Sequence, residues 1–206
     1  DPIFPPPHLA EPEGLLAIGG DLSPDRLIAA YRRGVFPWYE PGGPILWWSP
    51  DPRFVLFPGE IRISRRLRRT IRSGRFEIRR DTAFDRVVRA CAETPRGHED
   101  GTWITPEMRT AYSRLHRMGL ARSVEAWRDG ELVGGVYGVL AGRCFSGESM
   151  FHVVTDASKV ALAALVEDLA AEGVEMLDCQ VRSEHLVRFG AREIPRDEFL
   201  MRLARG

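Results

Sequence analysis

The sequence predicts an α+β protein with a mixed, mostly antiparallel sheet and a small, loop-rich lobe at its N-terminus, and three patterns support this. Eleven of the fifteen prolines and three of the five tryptophans lie at or before Pro52, a texture of turns rather than long elements. Ala121–Trp127, Glu131–Leu140 and Arg143–His152 read as three antiparallel strands joined at Arg128-Asp129-Gly130 and Ala141-Gly142, which favour tight hairpins. Residues 156–181 then pass from helical to strand spacing, a crossover unit within a mixed sheet. The expected division is residues 1–51 for the lobe and 52–206 for the larger domain.

In the lobe, Ser23 as N-cap, Pro24 at the first helical position, Asp25 in the first turn and Gly34 as the stop define one helix with Leu27, Ile28 and Tyr31 on a single face. Val35 to Asp51 has to fold as turns and short extended pieces. From Arg53 onward the spacing predicts strand Phe54–Phe57, helix Ser64–Ser73, strand Phe76–Arg79 and helix Phe84–Cys91. A polar loop, Ala92–Thr102, precedes helix Pro106–Met118, whose Met108, Tyr112 and Leu115 share a face. Asp156 or Ser158 can cap a helix carrying Leu162, Leu165, Val166 and Leu169, and Gly173 ends it before strand Val174–Val181. Helix Glu184–Phe189, strand Ala191–Ile194 and helix Arg196–Ala204 complete the domain.

The 29 basic and 29 acidic side chains cancel, and no apolar window approaches the roughly 20 residues of a membrane-spanning helix. No charged-then-apolar leader opens the chain, so a cytoplasmic location is expected. Cys91, Cys144 and Cys179 are widely spaced and read as buried free thiols, with neither a disulfide framework nor a zinc site. The charge is unevenly spread: ten arginines and only Glu60 and Glu77 as acids lie between Arg53 and Arg80. That stretch reads either as a polyanion-binding surface or as a solvated helix face.

Strand alternation places Asp178 and Gln180 on one face of Met176–Val181, with Leu177, Cys179 and Val181 on the other. An unpaired buried carboxylate costs several kcal/mol, so Asp178 must be paired, hydrated or lining a cleft. Glu148 stands among apolar neighbours in the same way. Each acid alone reads as structural; together, on strands that could be adjacent, they outline a cleft. No nucleophile elbow, phosphate loop, H-E-x-x-H or C-x-x-C is present, and His8, His98, His116, His152 and His185 are scattered. Gly134, Gly135 and Gly138 mark a bulge or close backbone approach rather than a phosphate loop. Trp38, Trp47, Trp48 and Trp103 read as lobe core or as a stacking platform for bases, the arginines nearby favouring the second for Trp38 and Trp103.

Eight blocks, in this order, resemble the leucyl/phenylalanyl-tRNA protein transferase family: GLLAIGGDLSP at 14–24, GVFPW at 34–38, LWWSPDPR at 46–53, GTWI at 101–104, LVGGVYG at 132–138, GESMF at 147–151, ASK at 157–159 and LDCQ at 177–180. They span most of the chain. Arg122 stands where the pattern has a histidine, and His152 where it has a serine. The resemblance implies a larger domain with a GNAT-like (acetyltransferase-like) fold. It also implies transfer of Leu or Phe, and less well Met, from aminoacyl-tRNA to the α-amino group of proteins beginning with Arg or Lys, which marks them for degradation. The activated ester donor needs no cofactor and no metal, and a monomer without membrane contact is expected.

By the same resemblance Glu148 and Gln180 hold the reacting amine and ester, and Asp178 orients Gln180 in a relay. Val136, Phe145, Met150, Leu162, Leu165 and Leu177 would line an apolar amino-acid pocket. Tyr31, Phe36, Trp38 and Trp103 would flank the terminal adenosine, and Arg65, Arg66, Arg68, Arg69 and Arg72 would meet tRNA phosphates. Two other readings stay open. One is an acyl-CoA-dependent N-acetyltransferase, against which Thr155-Asp-Ala-Ser-Lys159 lacks a glycine-rich pyrophosphate turn. The other is a non-catalytic tRNA-binding module, in which Glu148, Asp178 and Gln180 would be structural.

Overall fold

The computed structural model describes residues 4–94 and 103–205. In the lobe, β1 (Leu15–Ile18), α1 (Pro24–Tyr31), β2 (Phe36–Pro37) and β3 (Leu46–Trp48) form a helix beside a three-stranded sheet of order β1-β3-β2. The helix starts after Ser23, whose side chain makes no cap bond; its N–H instead donates to Asp21 Oδ1 at 2.8 Å. The expected short extended pieces within Val35–Asp51 are β2 and β3, both paired antiparallel. Strand β1, the apolar run Leu15-Leu16-Ala17-Ile18, carries no alternation and no β-branched residue before Ile18, and is not among the elements expected from the sequence.

The larger domain runs β4 (Arg53–Leu56), α2 (Arg65–Arg72), β5 (Glu77–Arg80), α3 (Phe84–Glu93), α4 (Pro106–Arg117), β6 (Ala121–Arg128), β7 (Glu131–Ala141), β8 (Cys144–His152), α5 (Ala157–Ala171), β9 (Met176–Gln180), α6 (Glu184–Val187), β10 (Arg192–Ile194) and α7 (Arg196–Leu203). Its seven strands have the order β10-β4-β9-β8-β7-β6-β5. Among the described residues only β8 and β9, joined through α5, pair in parallel; every other neighbour is antiparallel. The α+β class and the mixed, mostly antiparallel sheet are thus as expected. Of the polar loop, Ala92 and Glu93 belong to α3, whereas residues 95–102, which include His98 and half of the GTWI block, lie outside the described residues.

Helix α5 packs on the sheet face that carries Val124, Val136, Phe145 and Leu177, burying Leu162, Leu165, Val166 and Leu169. Helices α3 and α4 pack on the opposite face with Tyr137, Val139 and Phe151. That second core does not stop at the lobe: Phe4, Leu27, Tyr31, Val35, Phe36 and Trp47 belong to the same cluster as Phe84, Val87, Met108 and Tyr112. All three cysteines are buried free thiols.

Candidate active site

The ladder between β8 and β9 begins at Cys144 opposite Met176 and ends at Ser146 opposite Asp178. Beyond that rung the parallel neighbours are no longer bonded, and a cleft of about 540 Å³ lies between them, lined by residues 147–152 of one strand, Cys179 and Gln180 of the other, and Val181 just after it. A second depression, about 500 Å³, lies against α2, α5 and β5, but its wall is almost wholly apolar. Converging polar groups distinguish the first.

Two bulges aim the site's side chains. On β7 and β8, Tyr137 faces Ser149 and Gly138 faces Gly147, so Glu148 is an extra residue without an opposite partner. Gly138 makes this close approach feasible, since a Cβ there would strike the Ser146 carbonyl and the Phe145 ring. On β9, Gln180 faces Phe54 and Asp178 faces Val55, leaving Cys179 as the extra residue. Gln180 itself has φ +66°, a left-handed conformation that a glutamine adopts at a cost of order 1–3 kcal/mol. The expectation that Asp178 and Gln180 share a face is therefore corrected. The bulge and the positive φ turn Gln180 into the cleft beside Leu177 and Cys179, while Asp178 stays on the far side.

Glu148 is buried and forms the hub of a polar cluster. Tyr31 Oη donates to its Oε1 at 2.8 Å, Tyr112 Oη to its Oε2 at 2.8 Å, and Gln180 Nε2 to Oε1 at 3.1 Å. The two tyrosine hydroxyls also meet at 2.6 Å. Burial pushes the Glu148 carboxyl up to about 7, against the opposing pull of the Tyr112 and Tyr31 hydrogen bonds, with the Asp178 charge adding to the rise. Both phenols are held well above their ordinary value, by burial first and by the Glu148 charge second.

Asp178 does not reach the cleft. Arg53 grips its carboxylate at both oxygens, Nε to Oδ1 at 2.8 Å and Nη2 to Oδ2 at 2.6 Å, with both side chains almost wholly buried. The guanidinium lies between the Phe36 and Phe199 rings, 4.7 and 4.6 Å from their centroids. Asp178 Oδ1 accepts the Gln180 backbone N–H at 2.9 Å, so its contact with Gln180 runs through the main chain.

Val136, Met150, Leu162 and Leu177 line the cleft, whereas Phe145 and Leu165 are buried without forming its wall. Phe36, Trp38 and Trp103 stand at the cleft, Trp38 being 44% exposed. Tyr31, expected beside the adenosine, is buried and does not line the cleft; its hydroxyl bonds Glu148 and Tyr112. His152 and His185 also line the cleft, His185 with its basicity lowered by burial. Arg122 instead grips Glu172 at 2.6 Å.

The arginine-rich segment divides into two kinds. Arg53, Arg79 and Arg80 are committed to Asp178, Glu77 and Asp168. Arg65, Arg68, Arg69 and Arg72 instead line a shallow depression on α2 and, among the described residues, pair with no acid. Exposed Arg66 lies 4.0 Å from Asp156 at the start of α5. Sequence reasoning missed Tyr112 and the role of Arg53. A tyrosine on an apolar helix face carries no mark of its hydroxyl's partner; Arg53 did carry a signal, being a charge followed by Phe54, Val55, Leu56 and Phe57.

Two family models match the chain: leucyl/phenylalanyl-tRNA protein transferase over residues 55–204, and the N-terminal domain of the same family over residues 20–51. Curated relatives named leucyl/phenylalanyl-tRNA–protein transferase include that of Solidesulfovibrio magneticus, 60% identical over 203 residues, covering 98% of this chain and 82% of the relative. That of Anaeromyxobacter sp. (strain K) is 60% identical over 205 residues, covering 100% and 88%. Among solved structures, a GCN5-related N-acetyltransferase-like protein from Streptococcus suis aligns with a TM-score of 0.43 and 11% identity, over 82% of this chain and 63% of that one.

Proposed function

The chain belongs to the leucyl/phenylalanyl-tRNA protein transferase family, a family of aminoacyltransferases, and from that membership we propose its substrates and the roles of its residues. It moves Leu or Phe, and less well Met, from the 3′ ester of tRNA to the α-amino group of proteins that begin with Arg or Lys, thereby marking them for degradation. It works in the cytoplasm as a monomer, with residues 1–51 as a lobe beside the 52–206 domain.

The observation that carries this reading is the Gln180–Glu148 contact at 3.1 Å in a cleft otherwise lined by Val136, Met150, Leu162 and Leu177. An apolar pocket accepts Leu, Phe or Met and rejects polar side chains by leaving them unpaired, and a methionine in the wall adapts to either shape. The polar end holds the acceptor amine and the ester at Glu148 and Gln180. Asp178, clamped by Arg53, fixes the Gln180 backbone. Trp38, Phe36 and Trp103 offer faces for the terminal adenosine, and the α2 arginines meet tRNA phosphates. An aminoacyl ester is already activated, so positioning of the amine supplies much of the rate. The acyl-CoA reading is disfavoured at the start of α5, where the buried Asp156 carboxylate, held by Lys159 at 2.7 Å, would face an incoming pyrophosphate.

Purified protein mixed with radiolabelled Leu-tRNA and an Arg-starting peptide tests the proposal, with a Gly-starting peptide and acetyl-CoA as alternative acceptor and donor. Label on the Arg peptide alone is the expected result. Acetyl transfer, or tRNA binding without transfer, would overturn it.

A further inference from the structure

The oxygens of Tyr31, Tyr112 and Glu148 make three mutual contacts, of 2.6, 2.8 and 2.8 Å. Every one is hydrogen-bond short, and each needs one proton between its oxygens. An ionised Glu148 brings none, and the two phenols bring one each, so one of the three contacts would press lone pairs together. Adding a single proton to the carboxyl closes the ring: Glu148 donates to one tyrosine, that tyrosine to the other, and the second back to Glu148. Resting on the aminoacyl-transfer reading above, we propose that Tyr31, Tyr112 and Glu148 form a closed three-proton ring that takes up the proton shed by the attacking amine.

In the reaction the acceptor's N-terminal ammonium gives one N–H proton to ionised Glu148. The freed nitrogen lone pair forms the N–C bond at the ester carbonyl, and the C–O bond to the ribose breaks. The nitrogen's second proton leaves with the ribose oxygen, and Glu148 later returns its proton to solvent, so one proton is released per amide formed. Whichever carboxyl oxygen receives the proton, the ring can run in the direction that gives every contact a donor and an acceptor. Gln180 Nε2 stays a donor to Oε1 throughout. Tyr31 and Tyr112 act through Glu148 and are positioning residues.

The surroundings suit a group that changes charge near neutrality. Facing the ring are Tyr137 from β7, whose field raises both phenols, and Asp178 from β9, whose charge raises Glu148. Arg53 of β4 neutralises much of that Asp178 charge. Of the helices packed on β8, α3 buries Phe84, Val87, Val88 and the titratable Cys91, and α5 buries no ionisable side chain. Burial is therefore the main force on the Glu148 carboxyl; each tyrosine hydrogen bond taken singly opposes it, while the 2.6 Å contact between the phenols, left without a proton when both donate to an ionised Glu148, adds to it.

Infrared difference spectra of the whole protein between about pH 5 and about pH 9, with Glu148→Gln as the control, test the proposal. The expected result is a protonated-carboxyl C=O band, absent in the control, that disappears with a midpoint near 7. Tyr31→Phe and Tyr112→Phe each leave a single hydroxyl–carboxyl contact, which the remaining phenol proton satisfies with the carboxyl ionised, so the midpoint moves to lower pH by on the order of one unit, and the acid limb of kcat at saturating peptide moves with it. A structural role for the phenols would lower the rate at all pH values without moving the limb. No Glu148-dependent band, or a midpoint that stays or rises in folded Phe variants, as two independent donors would make it do, overturns the ring; should either variant unfold, the wild-type band against Glu148→Gln decides. Leucyl transfer without the band would leave the function standing and the ring refuted. A titrating band without transfer would do the reverse.

Discussion

At the scale of single residues, Glu148 stabilises the acid form of the folded protein at the expense of the basic one. Its folded value of about 7 lies above the roughly 4.3 of an exposed glutamate. Between those values the folded state keeps a proton that the unfolded chain has lost. Its stability contribution is therefore full below about pH 4 and is lost as pH rises toward 7, by on the order of 3 kcal/mol. Glu148→Gln supplies a permanent N–H donor in place of that proton and removes the dependence. In urea titrations the variant should match wild type near pH 5 and exceed it by about 1–3 kcal/mol near pH 8. Equal stability at both pH values would mean that Glu148 ionises freely in the fold. Composition could single out Glu148 as a carboxylate among apolar neighbours; it could not show which hydroxyls meet it, because Tyr31 and Tyr112 lie 81 residues apart in the chain.

Helix α2 illustrates what local sequence determines at the scale of elements. Ser64 accepts the Leu67 N–H at 3.1 Å and Ser73 closes the other end, so both bounds were readable from the caps. Ser64→Ala should cost about 1 kcal/mol in thermal denaturation, and no loss would mean the cap contributes nothing. The helix buries only Leu67, leaving four arginines toward solvent without acidic partners among the described residues. Replacing Arg65, Arg68, Arg69 and Arg72 by glutamine should weaken tRNA binding and lower the log–log salt slope by about 1 per arginine. An unchanged slope would relocate the tRNA interface. The hairpin strands were equally legible, since Asp129 and Gly130 both take positive φ at the predicted turn. The two bulges were not. Period-two alternation carries no mark of an extra residue, and it placed Gln180 on the wrong face; only Gly138 hinted at the first bulge.

For the whole molecule, the composition break near Pro52 did not forecast that lobe and larger domain share one apolar cluster. Arg53 reinforces that union, linking Phe36 of the lobe, Asp178 of the central sheet and Phe199 of α7. Arg53→Ala leaves the Asp178 charge buried and unpaired, a loss of roughly 3–5 kcal/mol. Unfolding followed by tryptophan fluorescence, which weights the lobe, and by far-ultraviolet circular dichroism should give coincident transitions. Separate midpoints would mean that the lobe melts alone. The central claim is that the cleft between β8 and β9 performs the transfer through Glu148 and Gln180. Single-turnover transfer of leucine from Leu-tRNA to an Arg peptide, at saturating substrates, tests this most directly in wild type and in Gln180→Ala. The account predicts a rate lower by about 100-fold or more with tRNA affinity unchanged, whereas a variant that keeps its rate would contradict it.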